Sequence, residues 1–222
     1  MTHTPYNLIT IVGPTATGKT RLAACLAHHI NGEVISGDSR QVYRDMTLGT
    51  GKDYADYVVE GEKVPYHLVD IADAGTKYNV YQFQSDFVPV FEDIRHRQKW
   101  PVLCGGTGLY VESVLKGYKM IHVPANTELR DRLKDYSLPK LSELLATYGP
   151  LHNTTDTETK RRAIRAIEIQ DYYARNPQLD TDFPAIQSLN VCVDIEREVR
   201  RKRISDRLEN RVNEGMIPEV RA

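Results

Sequence analysis

The chain predicts an α/β fold: a parallel sheet flanked by helices, with a helical insertion in its second half. Three observations carry this. A glycine-rich loop stands between an apolar strand and an amphipathic helix. Strand, loop and helix signals then alternate through the first half of the 222 residues. From about Met120 strand signals stop and charged helical stretches take over.

Leu8-Ile9-Thr10-Ile11-Val12 is the first strand. It runs into Gly13-Pro14-Thr15-Ala16-Thr17-Gly18-Lys19-Thr20, which fits the phosphate-loop pattern G-x-x-x-x-G-K-S/T at every fixed position. Leu22, Cys25, Leu26 and Ile30 follow at the spacing of one helix face. The physics favours an anion here. Glycines let the backbone curl so that several N–H groups point at one centre. The helix start adds its positive dipole end. Lys19 supplies a point charge, and Thr20 can hold a phosphate-bound magnesium ion. A chance glycine-rich turn lacks these flanks. The fold is therefore P-loop NTPase-like, of the nucleotide-binding and ATP-binding class, and the loop is read as a polyphosphate or pyrophosphate site.

Glu33-Val34-Ile35-Ser36 is the second strand, ending at Gly37-Asp38-Ser39-Arg40-Gln41-Val42-Tyr43. Ligands of open α/β sheets bind beyond the carboxyl ends of strands, so Asp38 and Ser39 emerge on the rim of the phosphate loop. Gly49-Thr50-Gly51-Lys52 reads as a flexible loop with one cation. Val64 to Ile71 is extended. A helix starts near Asn79, a good cap, with Phe83, Phe87, Val90, Phe91 and Ile94 as its buried stripe. Pro89 should bend or divide it. Pro101-Val102-Leu103-Cys104 is the next strand, and Gly105-Gly106-Thr107-Gly108-Leu109-Tyr110 opens another helix.

Beyond Met120, Glu128 to Lys134, Leu138 to Tyr148 and Asp156 to Tyr173 read as helices, the last with Ile164, Ile167 and Ile169 among its apolar positions. Asn176-Pro177 begins a polar loop. Asn190 to Ile195 restores a strand, and Glu196 to about Asn213 is an arginine-dense helix. The domains follow: 1–119 with 186–222 as the phosphate-loop core, and 120–185 as a helical insertion. Pro218 to Ala222 carries no pattern of a finished C-terminal element.

Composition narrows the class. Hydrophobic residues make up 41% and charged residues 27%, ordinary for a soluble globular protein. A net charge of −1 gives no global pull toward nucleic acid, so an RNA site must come from local basic clusters. Cys25, Cys104 and Cys192 are far apart, which argues against a zinc site or disulfide framework and fits a reducing cytoplasm. No signal peptide or membrane-spanning stretch is expected.

A phosphate-loop enzyme that hydrolyses nucleotides usually carries an acid at a nearby strand end. Here that end is Cys104-Gly105-Gly106. The carboxylate near the loop is Asp38, suited to assist a metal, to act as a general base, or merely to cap its turn. Ser39, Gln41 and Tyr43 beside it suit a nucleobase pocket. Basic residues cluster at Lys160-Arg161-Arg162 with Arg165, and at Arg197, Arg200, Arg201, Lys202 and Arg203. Solvated helix faces would look the same, and Arg165 and Arg203 have Glu168 and Asp206 within reach as partners.

Five ordered motifs then resemble one family: Gly13 to Thr20, Asp38 to Tyr43, Gly49 to Lys52, Pro65 to Ile71, and Gly105 to Tyr110. Arg165-Ala166-Ile167-Glu168-Ile169 and Arg203-Ile204 also fit. The set resembles the transfer-RNA dimethylallyltransferases over nearly the whole chain. The resemblance implies transfer of a dimethylallyl group from its pyrophosphate to the exocyclic N6 amine of the adenosine 3′ of the anticodon. It implies that Gly13, Pro14, Thr15, Ala16, Thr17, Gly18, Lys19 and Thr20 grip the pyrophosphate. Thr20 with magnesium and Arg203 would neutralise it as it leaves, and Asp38 would accept the amine proton. Asp38, Ser39, Gln41 and Tyr43 would read the flipped adenosine, with Lys160, Arg161, Arg162 and Arg165 on the RNA. The partners are dimethylallyl pyrophosphate and the tRNA anticodon stem-loop, and the expected state is a cytoplasmic monomer without membrane association. Family members continue past the match to Glu219-Val220-Arg221, so the expectation is a complete donor half and a reduced RNA half. The alternatives are an isopentenyltransferase of free adenine nucleotides, a small-molecule kinase, and an inactive shortened homologue.

Overall fold

The structure is a computed structural model that describes residues 4–118, 120–149, 155–177 and 183–221. Contacts divide the chain into two units, one of residues 1–118 with 183–222 and one of residues 119–182.

The first unit is built on a five-stranded parallel sheet. In chain order its elements begin with β1 (Leu8–Val12), α1 (Lys19–His29) and β2 (Gly32–Ser36). A 3-10 turn, Tyr54–Tyr57, leads into a small hairpin of β3 (Val58–Val59) and β4 (Glu62–Lys63), then β5 (Tyr66–His67). Next come α2 (Val80–His96), β6 (Trp100–Cys104) and α3 (Gly108–Leu115). The sheet order is β5-β2-β6-β1-β7, where β7 is Ser188–Cys192. Ile11 of β1 and Ser36 of β2 both stand opposite Cys104 of β6. Three strands therefore end level, and the loops that leave them share one rim.

Each face of the sheet is covered over its central strands, as a parallel sheet requires. On one face α2 and α3 bring Phe83, Phe87, Phe91, Ile94, Val111 and Val114 onto Leu8, Ile35 and Leu103. Phe83 and Tyr110 stack with centroids 4.4 Å apart. The expected cap of α2 is a full capping box: Asn79 Oδ1 accepts from Tyr81 N and Gln82 N, and Gln82 Oε1 accepts from Asn79 N. Pro89 does not divide this helix, which runs unbroken through it. On the other face lies α1, and its packing differs from the periodicity. Ala23, Ala24 and Ala27 are fully buried, while Leu22 is exposed and Cys25, Leu26 and Ile30 are only partly covered. Small side chains let the helix sit close to Val34 and Val102, which leaves the larger ones at its flanks.

Two further boundaries move, and one loop differs from its expectation. Strand β7 starts two residues before Asn190 and ends at Cys192, fixed by its register with Leu8–Val12. Residues 183–185 belong with the sheet, where Phe183 packs on the first core and Asn7 Nδ2 donates to the Ala185 carbonyl. Gly49 to Lys52 is clamped rather than flexible: Lys52 is buried, donating to the Tyr43 carbonyl and Asp70.

The second unit is helical: α4 (Thr127–Leu133), α5 (Leu138–Ala146) and α6 (Lys160–Arg175). Helix α6 begins at Lys160 because Thr159 caps it, and Asp156 falls in the preceding 3-10 turn, Thr155–Thr157. Leu129, Leu133, Leu141, Leu145, Ala163 and Ile167 form its core. Glu168 is buried beside them. It accepts from Asn126 N, from Arg130 Nε at 2.9 Å and Nη2 at 2.8 Å, and from Arg165. Burial alone would raise its carboxyl, but these donors outweigh it and hold the pKa down to about 2.

The first unit closes with α7 (Arg197–Asn213) and α8 (Met216–Arg221). The short α8 stands where the sequence shows no finished element.

Candidate functional site

A cavity of about 460 Å³ opens on the rim where β1, β2 and β6 end. Thr15, Ala16, Gly18, Lys19 and Thr20 line it. Gly13, Pro14 and Thr17 do not, although Thr17 Oγ1 and Lys19 Nζ both donate to the Pro14 carbonyl and so tighten the loop. Burial pulls the Lys19 pKa down, against the opposing charge of Asp38. Cys104 also lines the cavity. Burial pushes its thiol up to about 12, so it is a protonated filler rather than a nucleophile.

Asp38 reaches the cavity from the turn after β2. Its Oδ1 accepts from Arg40 N at 2.8 Å, and Oδ2 makes no hydrogen bond among the described residues. The turn-capping and cavity-facing roles therefore coexist in one side chain. Gly105 explains the missing strand-end acid. A Cβ there would lie 2.4 Å from the Gly37 carbonyl, so no side chain fits between the ends of β2 and β6.

Of the expected base-reading residues Asp38 and Gln41 line the cavity, and Gln41 donates from Nε2 to the Gly51 carbonyl. Ser39 is tied to Thr107 through its N–H and hydroxyl, and the Tyr43 hydroxyl accepts from Tyr78 N. Arg203 of α7 lines the cavity and, among the described residues, has no ion-pair or hydrogen-bond partner; Asp206 is not one. Lys160, Arg161, Arg162 and Arg165 lie in the helical unit. Arg162 pairs with Glu158, and Arg165 is committed to Glu168 and the Val123 carbonyl, which makes it a packing residue of that unit.

Sequence reasoning missed Arg40, Asp53, Asp56, Arg207 and Arg211, which also line the cavity. Burial, then the charge of Asp53, raises the Asp56 pKa. The available signal was the spacing Arg203, Arg207, Arg211, which puts three guanidiniums on one helix face. Among the described residues no group of three His, Cys, Asp or Glu side chains could hold a metal.

A parallel sheet whose level strand ends offer a phosphate loop, an available carboxylate oxygen and an arginine face defines a phosphate-loop enzyme. Comparison with known proteins makes this specific. The sequence matches the IPP transferase family over residues 41–222 and the isopentenyl transferase family over residues 6–66. It is 58% identical over 217 residues to tRNA dimethylallyltransferase 2 of Phocaeicola vulgatus, covering 98% of this chain and 71% of the relative. To tRNA dimethylallyltransferase 1 of Porphyromonas gingivalis it is 56% identical over 214 residues, covering 96% and 71%. The full-length tRNA isopentenylpyrophosphate transferase of Bacillus halodurans superposes with TM-score 0.63 at 35% identity, covering 97% of this chain and 69% of that one. A eukaryotic dimethylallyltransferase acting on tRNA shares the fold, with TM-score 0.74 at 23% identity over 97% and 55%. The chain belongs to the tRNA dimethylallyltransferase family.

Proposed function

We propose that this chain transfers the dimethylallyl group of dimethylallyl pyrophosphate to the N6 amine of the adenosine 3′ of the anticodon in tRNA. The observation that carries the reading is the meeting of Lys19, Thr20, Asp38 and Arg203 on one cavity in a member of this family. The phosphate-loop N–H groups, Lys19 and Arg203 hold the pyrophosphate. The allylic carbon–oxygen bond breaks, a bond from N6 to that carbon forms, and Asp38 Oδ2 takes the amine proton. Adenine N6 is a poor nucleophile, so a positioned base is worth ~100-fold or more. Charge developing on the leaving oxygen meets fixed donors that need no rearrangement.

The protein donors suit magnesium held mainly by pyrophosphate oxygens and water, with Thr20 as the protein ligand, since no carboxylate cage is present among the described residues. When bound, the ion would neutralise the departing pyrophosphate. Exposed Lys160 and Arg161, with Arg162, give the helical unit a basic surface for RNA phosphates. The reading places this activity in the cytoplasm, in a monomer; among the described residues no helix is long and apolar enough to cross a membrane. The test is mass spectrometry of nucleosides from tRNA incubated with the protein and dimethylallyl pyrophosphate, with adenosine monophosphate offered in parallel. Dimethylallyl adenosine in RNA is expected. Modification of the free nucleotide alone would overturn the assignment.

A further inference from the structure

Helix α7 carries the arginine face of the cavity yet buries none of its residues, and Ile204, Leu208 and Val212 stay exposed. Apolar packing therefore does little to fix it. Polar ties do. Arg207 Nη2 donates to Asp53 Oδ2 at 2.6 Å and to the Gly51 carbonyl at 3.1 Å. Arg211 Nη2 donates to both oxygens of Asp53, at 3.1 and 3.3 Å. A Cβ on Gly51 would stand 2.8 Å from Arg211 Nη1, and its φ of +77° also favours glycine, so this position lets both guanidiniums in. From the other side, Glu219 of α8 accepts from Leu48 N at 2.8 Å and Gly49 N at 2.9 Å. One carboxylate from the loop and one from the helix pair thus tie residues 48–53 to α7 and α8.

Arg203 lies four residues before Arg207 on the same face, about 6 Å along the axis. It points into the cavity and has no partner among the described residues. Helix α7, held at Arg207 and Arg211 and followed by α8 held at Glu219, has little freedom to roll or slide, and Arg203 inherits that restraint.

We propose that Asp53 and Glu219 are positioning residues for the transfer reaction: they lock α7 so that Arg203 is held over the phosphate loop before the donor arrives. The proposal rests on Arg203 being a ligand of the pyrophosphate. Preorganising one guanidinium spares the ordering cost that binding would otherwise meet.

The experiment is calorimetry with inorganic pyrophosphate on the 222-residue chain, using the parent, Asp53→Asn, Arg203→Ala and the double variant, with thermal unfolding measured on each. Asp53→Asn should weaken pyrophosphate about fivefold, the modest size expected of a partly exposed ion-pair network. In the Arg203→Ala background the same change should cost less than about twofold, because its effect passes through Arg203. Asp53→Glu should recover part of the loss. Glu219→Gln should repeat the pattern, and it serves the same cycle if Asp53→Asn does not fold. Equal losses in both backgrounds would overturn the proposal in favour of general structural support. Tighter binding by Asp53→Asn would also overturn it, since Asp53 would then be competing with the anion for Arg207 and Arg211. Failure of the parent to bind pyrophosphate would overturn the donor reading itself, and this inference with it.

Discussion

The backbone N–H of Arg40 donates to Asp38 Oδ1 at 2.8 Å, which leaves Oδ2 as the carboxylate oxygen available to the cavity. Asparagine caps the same kind of turn through its amide oxygen but cannot accept a proton. Asp38→Asn should therefore keep the turn and donor affinity while kcat falls by ~100-fold or more. Single-turnover transfer measured beside donor binding checks this. Equal turnover would leave Asp38 as a turn cap alone.

Lys19 is the charged member of the loop, and burial lowers its pKa, so its ammonium is poorly solvated without an anion. Lys19→Ala removes that charge while leaving the loop's N–H groups. Pyrophosphate binding should drop by about 100-fold in calorimetry, the size of a charged hydrogen bond lost from a partly buried site. Unchanged affinity would remove Lys19 from the donor site.

What was legible in the sequence was local. The phosphate loop, the Asn79 cap and the phenylalanine stripe of α2 each depend on residues a few positions apart. What was not legible depends on distant segments meeting. Asp53 and Arg207 are 154 positions apart, and neither belongs to a motif. The alanine face of α1 escaped because hydrophobic periodicity weights leucine above alanine, whereas close packing on a sheet favours the small side chain. The bounds of β7 differ from the sequence reading because Leu189 to Cys192 are exposed on both faces, so its apolar residues do not mark its register with β1. For Arg165 the sequence leaves open an RNA contact or a pair with Glu168, and the structure shows the pair; the sequence does not decide because Glu168, three residues on, gives no sign there of being buried.

Glu168 makes an acid-dependent prediction for the helical unit. Its carboxyl lies below its ordinary 4.5 when folded, near 2, so it stabilises fully above pH 4.5 and loses that contribution as pH falls toward 2. Glu168→Gln keeps the shape and removes the charge that Arg130 and Arg165 share. About 1–2 kcal/mol should be lost at neutral pH, limited because both arginines remain partly exposed to water. The difference in unfolding midpoint between the parent and this variant should shrink steadily between pH 4.5 and 2. A difference constant across that range would mean that the loss comes from packing rather than charge.

The basic residues of α6 separate by what they already hold. Arg161 is exposed and, among the described residues, has no partner, whereas Arg165 is bound to Glu168 and the Val123 carbonyl. A free surface guanidinium can displace counterions from an RNA phosphate, and one that is already paired gains less by doing so. Arg161→Ala should therefore weaken tRNA binding and lower the slope of log affinity against log salt by about one unit, with no change in unfolding temperature. Arg165→Ala should do the reverse: it lowers the stability of the helical unit and changes the salt slope by much less. Fluorescence binding titrations across a salt series, run beside thermal unfolding, measure both quantities on the same samples. A salt slope that falls with Arg165→Ala and not with Arg161→Ala would make Arg165, and not Arg161, the RNA contact.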